Sequence, residues 1–311
     1  MPDPVITIAM PFFNSGATLE LAVRSLLNQS YDDFELLLCD DGSDDQSLAI
    51  ARSFNDARII CWSDGKRRRL AARLNECIDR ARGIYLARMD ADDISYPDRL
   101  VHQLTFLISH PEVDLCGASV MVFGKRGRPL WRFSPENDHA GIVKSPLRGF
   151  PLWHPVWMGR VAWFRRWRYD ESAWLAQDQE LLLRSYRQSV FANLPPILLG
   201  YRKERISLGK LLRYKLLHIR NVRNQPGDRG VGQNLQLLLV SAARFAANCA
   251  AALAGSEQRL GHQAAREPSF AELAEWNALW RVLSTWCGTP SNEIFAPASL
   301  LPGKEDHQGY L

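Results

Sequence analysis

The sequence predicts an α/β fold, a mostly parallel sheet flanked by helices, and two observations predict it. Apolar segments of strand length alternate strictly with segments of helical periodicity, and polar clusters recur just after the apolar segments, where open parallel sheets bind ligands. A third observation bounds the class: the 311 residues are 46% apolar and 23% charged, a globular composition that excludes collagen-like, disulfide-scaffold and wholly disordered chains.

Residues 5–10 are a β-branched, apolar run closed by Pro11 and the turn-forming Asn14-Ser15-Gly16, which reads as a buried first strand. From Thr18, a candidate N-cap, Leu19, Ala22, Val23, Leu26 and Leu27 recur at helical spacing until Ser30-Tyr31-Asp32-Asp33 breaks the pattern. A second strand over 34–39 ends at Asp40-Asp41-Gly42-Ser43-Asp44. A helix over 47–54, a strand over 58–62, a helix over 70–82 and a strand over 85–89 continue the alternation. Right-handed crossovers wind such units into a parallel sheet. A second half adds a helix from Pro97 to residue 109 and a strand over 113–123, then a Trp- and Arg-rich stretch to residue 174. Beyond Tyr201 come a basic amphipathic helix, an Ala- and Leu-rich segment over 235–255 and a polar tail, with no internal repeat.

A formal charge of +4, from 38 Lys and Arg against 34 Asp and Glu, does not demand a nucleic-acid partner, and none is expected. The six cysteines show no C-x-x-C and no histidine-rich neighbour, so they read as buried thiols in a reducing compartment rather than a zinc site. No basic segment precedes the first apolar run, so a cytoplasmic location is expected and the Asn28-Gln29-Ser30 sequon should stay unmodified.

Five of the ten tryptophans, Trp153, Trp157, Trp163, Trp167 and Trp174, are interleaved with Arg160, Arg165, Arg166 and Arg168. That pattern suits sugar stacking, an amphipathic interface or base stacking, with core packing taking some of the rings. Between residues 201 and 230 nine Lys or Arg stand against two acids, with Leu208, Leu212, Leu216 and Ile219 on one helical face. This reads either as a peripheral membrane anchor or as a helix packed on the core. Arg244 near the centre of 235–254 makes that segment amphipathic rather than membrane-spanning.

Asp90-Ala91-Asp92-Asp93 follows a predicted strand and puts its carboxylates on one tight loop. Asp41 would emerge beside it at the same sheet edge, and a hard divalent cation, Mg²⁺ or Mn²⁺, would relieve the repulsion between the two loops. No glycine-rich phosphate loop follows the first strand, which disfavours a nucleotidyltransferase or a dehydrogenase.

Four segments stand in a telling order: Met10-Pro11-Phe12-Phe13-Asn14, Cys39 through Asp45, Arg88-Met89-Asp90-Ala91-Asp92-Asp93, and Ala176-Gln177-Asp178-Gln179-Glu180-Leu181. With them the chain resembles the inverting glycosyltransferases of family 2, which have the GT-A, Rossmann-like nucleotide-binding fold. The resemblance spans roughly the first 200 residues. It implies a GT-A catalytic domain over 1–205, with a nucleotide-sugar half over 1–100 and an acceptor half over 101–205. A basic, amphipathic helical extension over 206–255 and a C-terminal helix and polar tail over 256–311 would follow.

Carried over by position, the resemblance places Pro11, Phe13, Asn14, Asp41, Arg69 and Asp90 in donor binding. Phe13 would flank the base and Asp41 would bond its polar edge. Asp92, with Asp90, would hold Mg²⁺ or Mn²⁺, and Asp178 would be the catalytic base. His154, in Trp153-His154-Pro155-Val156-Trp157-Met158, would lie near the reaction centre or else pack beneath its aromatic neighbours. Arg202 would reach phosphate or anchor the core.

Three departures stand out. Gln177 replaces the usual Glu before the base, Arg69 takes the place of a glycine, and the Q-x-x-R-W element of processive synthases is missing. The cations Lys66-Arg67-Arg68-Arg69 would contact phosphate or sit in solvent. The implied activity is transfer of one sugar from a UDP- or dTDP-sugar to a glycan or lipid-linked acceptor in surface polysaccharide synthesis. A catalytically silent sugar-binding or scaffold protein of the same fold is the alternative.

Overall fold

The computed structural model describes residues 3–146, 149–173, 175–203, Leu217 and residues 265–285. The segments proposed for membrane contact, over 208–223 and 235–253, lie outside the described residues apart from Leu217, as do Trp174, Cys249 and Cys287.

β1 (Ile6–Phe12), β2 (Phe34–Asp40), β3 (Ile59–Ser63) and β4 (Tyr85–Arg88) are the four strands predicted for the first half. They pair in parallel, with β1 between β2 and β4 and with β3 on the outer side of β2. Every residue of β1 and β2 is buried. Helices cover both faces of this sheet, so its central strands have no solvent face and read as unbroken apolar runs. α1 (Leu19–Leu27) and α2 (Ser47–Ser53) follow β1 and β2. α1 sets Leu19, Ala22, Val23 and Leu26 into the core on one face, and α3 (Arg69–Arg80) sets Ala71, Leu74, Cys77 and Ile78 into the core on the other. Cys39, Cys77 and Cys116 are buried thiols.

The second half adds β5 (Ile94–Ser95), α4 (Arg99–Ser109), β6 (Leu115–Phe123), β7 (Pro129–Phe133), α5 (His139–Ile142), β8 (Met158–Arg160), α6 (Val161–Trp167), α7 (Gln177–Ser185), β9 (Phe191–Arg202), β10 (Ala265–Arg266) and α8 (Phe270–Thr285). The sheet runs β10-β7-β6-β8-β4-β1-β2-β3, with β9 paired to β6 and β5. The parallel part is the predicted one, and β9 also runs parallel to β6. β7 and β8 run antiparallel to their neighbours, so this half is mixed. A short turn at Lys125–Gly127 joins β6 to β7, too short for a crossover, and a connection of that length forces an antiparallel hairpin.

The tryptophans of the Trp- and Arg-rich stretch serve mainly as core. Trp157 is fully buried, Trp163 donates to Ser189 Oγ at 2.8 Å, and Trp153 packs against Phe133 and Tyr201 at ring distances of 5.1 and 4.4 Å. α8 also joins the core. Its Trp276, Leu279 and Leu283 pack on Ile94, Tyr96, Met121, Phe123 and Ile197, and Trp276 Nε1 donates to Gly127 O at 2.7 Å. Among the described residues no helix is long and apolar enough to cross a membrane.

Candidate active site

The register Phe12↔Asp40↔Ser63 brings the loops after β1, β2 and β3 to one edge, and the loop after β4 joins them there. Pro11 is buried inside β1 opposite Cys39. Asn14, at φ 47°, clasps the neighbouring loop: its amide donates to Ser43 Oγ at 3.0 Å, its Nδ2 to Asp44 Oδ1 at 2.7 Å, and Asp44 N returns to Asn14 Oδ1 at 3.1 Å. Pro11 and Asn14 thus shape the edge through the strand and the loop clasp.

Asp41 is the hub of a charged network. Its Oδ1 accepts from Arg68 N at 2.7 Å, Arg69 N at 3.0 Å and Arg73 Nε at 3.0 Å, and its Oδ2 accepts from Arg69 N at 3.0 Å. Arg73, 1% exposed, also reaches Asp64 at 2.5 Å, Glu76 at 2.9 Å and the carbonyl of Lys66. Burial opposes the Arg73 charge, but the hydrogen bonds to Asp64, Glu76 and Asp41 outweigh it and hold the guanidinium protonated. The Arg73 hydrogen bond, aided by the Lys66 amide, pulls Asp64 down to about 2.

The basic run Lys66-Arg67-Arg68-Arg69 divides its work. Arg68 pairs with Asp64 at 2.9 Å and Glu76 at 2.8 Å, and the Arg69 backbone serves Asp41. Arg67 lays its guanidinium carbon 3.3 Å over the centre of the half-buried Phe13 ring. Arg69, at the position where the resemblance implies a glycine, holds φ +72°, a backbone that glycine adopts freely.

On the loop after β4, carboxylate oxygens of Asp90, Asp92 and Asp93 lie within 4.8 Å of one another. Arg88, 1% exposed, donates to both oxygens of Asp90, one of them at 2.8 Å. Arg202 anchors the same loop: its Nε donates to Asp92 O and its amide to Asp93 Oδ1, both at 2.8 Å. Asp93 is fully buried, and its Oδ2 has no hydrogen-bond partner among the described residues. Burial first, then Asp92 and Asp90, push its carboxyl well above the usual range. An all-oxygen cluster with an orphaned buried acceptor and mutual repulsion fits a hard divalent cation. Asp93 is the member the motif reading left without a role, although it stands in the same run.

Asp178 lies half-buried in the first turn of α7, and the crowding of protein around it raises its carboxyl above the usual value, against the opposing Gln179 amide and Arg88 charge. Its neighbour Gln179 is tied to Phe150 N at 2.8 Å. Glu180 instead pairs with Arg184 at 2.5 Å, and Arg184 caps the carbonyls of Trp167 and Arg168 at 2.7 and 2.6 Å. Glu180 is therefore committed to a local structural ion pair.

His154 packs beneath its aromatic neighbours. The ring is buried against Trp157 at 4.6 Å, with a ring nitrogen 2.8 Å from the Tyr169 hydroxyl. Burial, then the charge of Arg88, hold it well below its ordinary pKa and hence neutral. Arg88 bonds Asp90 directly, and its charge also pulls down the Tyr169 and Asp178 pKa values that burial raises. Asn75 fixes Tyr169 by exchanging two 3.0 Å bonds with its backbone. Arg73 and Asn75 stand in the helix predicted over 70–82, and their roles were not legible because Asp41 and Tyr169, the partners that define them, are 32 and 94 residues away.

The sequence model for glycosyl transferase family 2 matches residues 7–168. EpsE of Bacillus subtilis, named a glycosyltransferase, is 34% identical over 191 residues, 60% of this chain and 68% of that protein. Escherichia coli WfgD, named a UDP-Glc:α-D-GlcNAc-diphosphoundecaprenol β-1,3-glucosyltransferase, is 31% identical over 110 residues, 35% of this chain and 44% of its own. The mannosyltransferase PcManGT of Pyrobaculum calidifontis, solved with GDP-Man and Mn²⁺, shares the fold at TM-score 0.57 and 17% identity, over 92% of this chain and 85% of that one. With strands, acidic loops and sequence in agreement, the chain belongs to glycosyl transferase family 2 and is a glycosyltransferase of the GT-A fold.

Proposed function

We propose that this transferase is metal-dependent and inverting, moving one sugar from a uridine or deoxythymidine diphosphate sugar to a hydroxyl of a glycan or lipid-linked acceptor in surface polysaccharide synthesis. The observation that carries the reading is the cluster of Asp90, Asp92 and Asp93 carboxylates on the loop after β4, with Arg88 bonded to Asp90. The lipid-linked acceptor in the name of WfgD and the Mn²⁺ bound to PcManGT support it.

Phe13 stacks on the base, and Asp41, held rigid by Arg73 and two backbone amides, accepts its ring N–H. Asp90 and Asp92, with Asp93 beside them, would hold Mg²⁺ or Mn²⁺, and such an ion would supply positive charge to the departing diphosphate. Asp178 takes the proton of the acceptor hydroxyl while that oxygen attacks the anomeric carbon from the face opposite the diphosphate. The anomeric C–O bond to phosphate breaks, and the nucleoside diphosphate departs with the electron pair. Burial keeps Asp178 basic enough for the task, and His154 stays neutral with a ring nitrogen 2.8 Å from the Tyr169 hydroxyl. Contact with the inner face of a membrane rests on the basic segment over 208–223.

A donor panel tests the reading: purified protein with Mg²⁺ or Mn²⁺ and UDP-, dTDP- and GDP-sugars should slowly release free nucleoside diphosphate from one class. EDTA or Asp92→Ala should weaken nucleoside diphosphate binding by at least the roughly 10- to 100-fold that even an outer-shell metal partner is worth. NMR of the product should show inversion. Binding without turnover on any acceptor would instead favour a silent sugar-binding protein.

A further inference from the structure

The backbone on both sides of Arg67 is pinned. Lys66 O accepts from Arg73 and Lys66 N donates to Asp64 at 3.0 Å, while the amides of Arg68 and Arg69 donate to Asp41 at 2.7 and 3.0 Å. What remains able to move is the Arg67 side chain, which is 57% exposed. It nonetheless sits over Phe13, its guanidinium carbon 3.3 Å from the ring centre and its Nε 3.8 Å from Asp41 Oδ2. That oxygen has capacity to spare: among the described residues Oδ1 receives three donors at hydrogen-bond distance and Oδ2 only the Arg69 amide.

A guanidinium is planar, delocalised and carries N–H groups in its plane. Stacked on Phe13 with an N–H edge toward Asp41 Oδ2, it stands where a pyrimidine with a ring N–H would stand and offers the same two contacts. We infer that Arg67 is a resident stand-in for the nucleobase, a side chain with which the base of the donor competes for the Phe13 face and for Asp41. This rests on the donor reading of Phe13 and Asp41 given above. A guanidinium and a base cannot share one ring face, so the base enters as Arg67 swings out into solvent.

The test compares calorimetric binding of UDP and of inorganic pyrophosphate, each with Mg²⁺, to the full chain. Pyrophosphate reports the phosphate contacts alone, so the ratio of the two affinities reports the base slot. Arg67→Ala and Arg67→Ser should raise the UDP-to-pyrophosphate ratio by about two- to fivefold, the worth of an exposed cation–π contact. In a Phe13→Leu background the same substitutions should leave the ratio unchanged, since the stack they release is gone. A ratio unchanged by Arg67→Ala with Phe13 intact overturns the inference, and a lowered ratio overturns it by making Arg67 a grip on the base. Wild-type protein that binds UDP no better than pyrophosphate removes the donor reading itself and the inference with it.

Discussion

The backbone amide of Arg69 donates to both carboxylate oxygens of Asp41 at 3.0 Å, and Arg69 makes this fork from a left-handed backbone at φ +72°. An L-residue there costs about 1–2 kcal/mol, yet the bend lets two successive amides, of Arg68 and Arg69, converge on one carboxylate. Asp41 is aimed by backbone as well as by Arg73.

Arg69→Gly should therefore retain nucleotide binding and unfold at the same or a higher urea concentration. Arg69→Val, β-branched and poorly suited to positive φ, should lose about 1–2 kcal/mol. Equal loss from both variants would mean that the Arg69 side chain, rather than its backbone, carries the position.

Asp178→Asn separates chemistry from stability. Turnover should fall by about 10² to 10⁴ with donor affinity nearly intact. Burial raises the Asp178 pKa, so at neutral pH the folded chain holds a desolvated carboxylate that the unfolded chain gives back to water. Asp178 therefore costs stability at neutral pH, and the cost vanishes as pH falls through its raised pKa. The amide variant should melt higher than wild type at pH 7, and a lower melting temperature would count against the desolvated placement.

The pH–rate profile follows from the same shifts. Asp178 acts as a carboxylate, so activity is present above its pKa and lost as pH falls through it. The acidic limb should lie above the ordinary aspartate value of about 3.9. His154 is held neutral, so no inflection is expected near the free-histidine value of about 6.5. An inflection there that disappears in His154→Gln would show a titrating, exposed imidazole instead.

Trp276→Ala should destabilise the whole chain by about 3–5 kcal/mol, because the indole is fully buried over Ile94, Tyr96 and Phe123 and satisfies Gly127 O. For the same reason a chain ended near Arg205 would bare that apolar face. A test of membrane attachment is better made in the full chain by reversing Lys210, Arg213 and Lys215 and measuring flotation with anionic vesicles. A Trp276→Ala protein as stable as wild type would show that α8 is only loosely seated.

Much of the first half was legible. β1 and β2 read as strands because burial on both faces demands unbroken apolar runs, and α1 because its buried Leu19, Ala22, Val23 and Leu26 repeat at helical spacing. The short strands β5 and β8, of two and three residues, carry no periodicity to detect and exist only because neighbouring strands accept their hydrogen bonds. α8 packs Trp276 against β5 and β9, contacts far too distant in sequence for a local pattern to announce.

By itself the sequence determined which loops carry acid, that Asp90, Asp92 and Asp93 share one of them, and that they follow buried strands, since these depend on composition and period along a single segment. Tertiary structure alone decided how those charges are answered. Asp41 and Arg73 stand 32 residues apart, as their hydrogen bond records, and only the packing of α3 on the sheet sets them face to face. Packing likewise desolvated Asp178 and laid Arg67 on Phe13, whereas Arg88 with Asp90 and Glu180 with Arg184 pair two and four residues apart along the chain. A charge or a ring in a sequence states what a residue can do, whereas its partner, and with it its energy, depends on distance and dielectric, which exist only once the chain has folded.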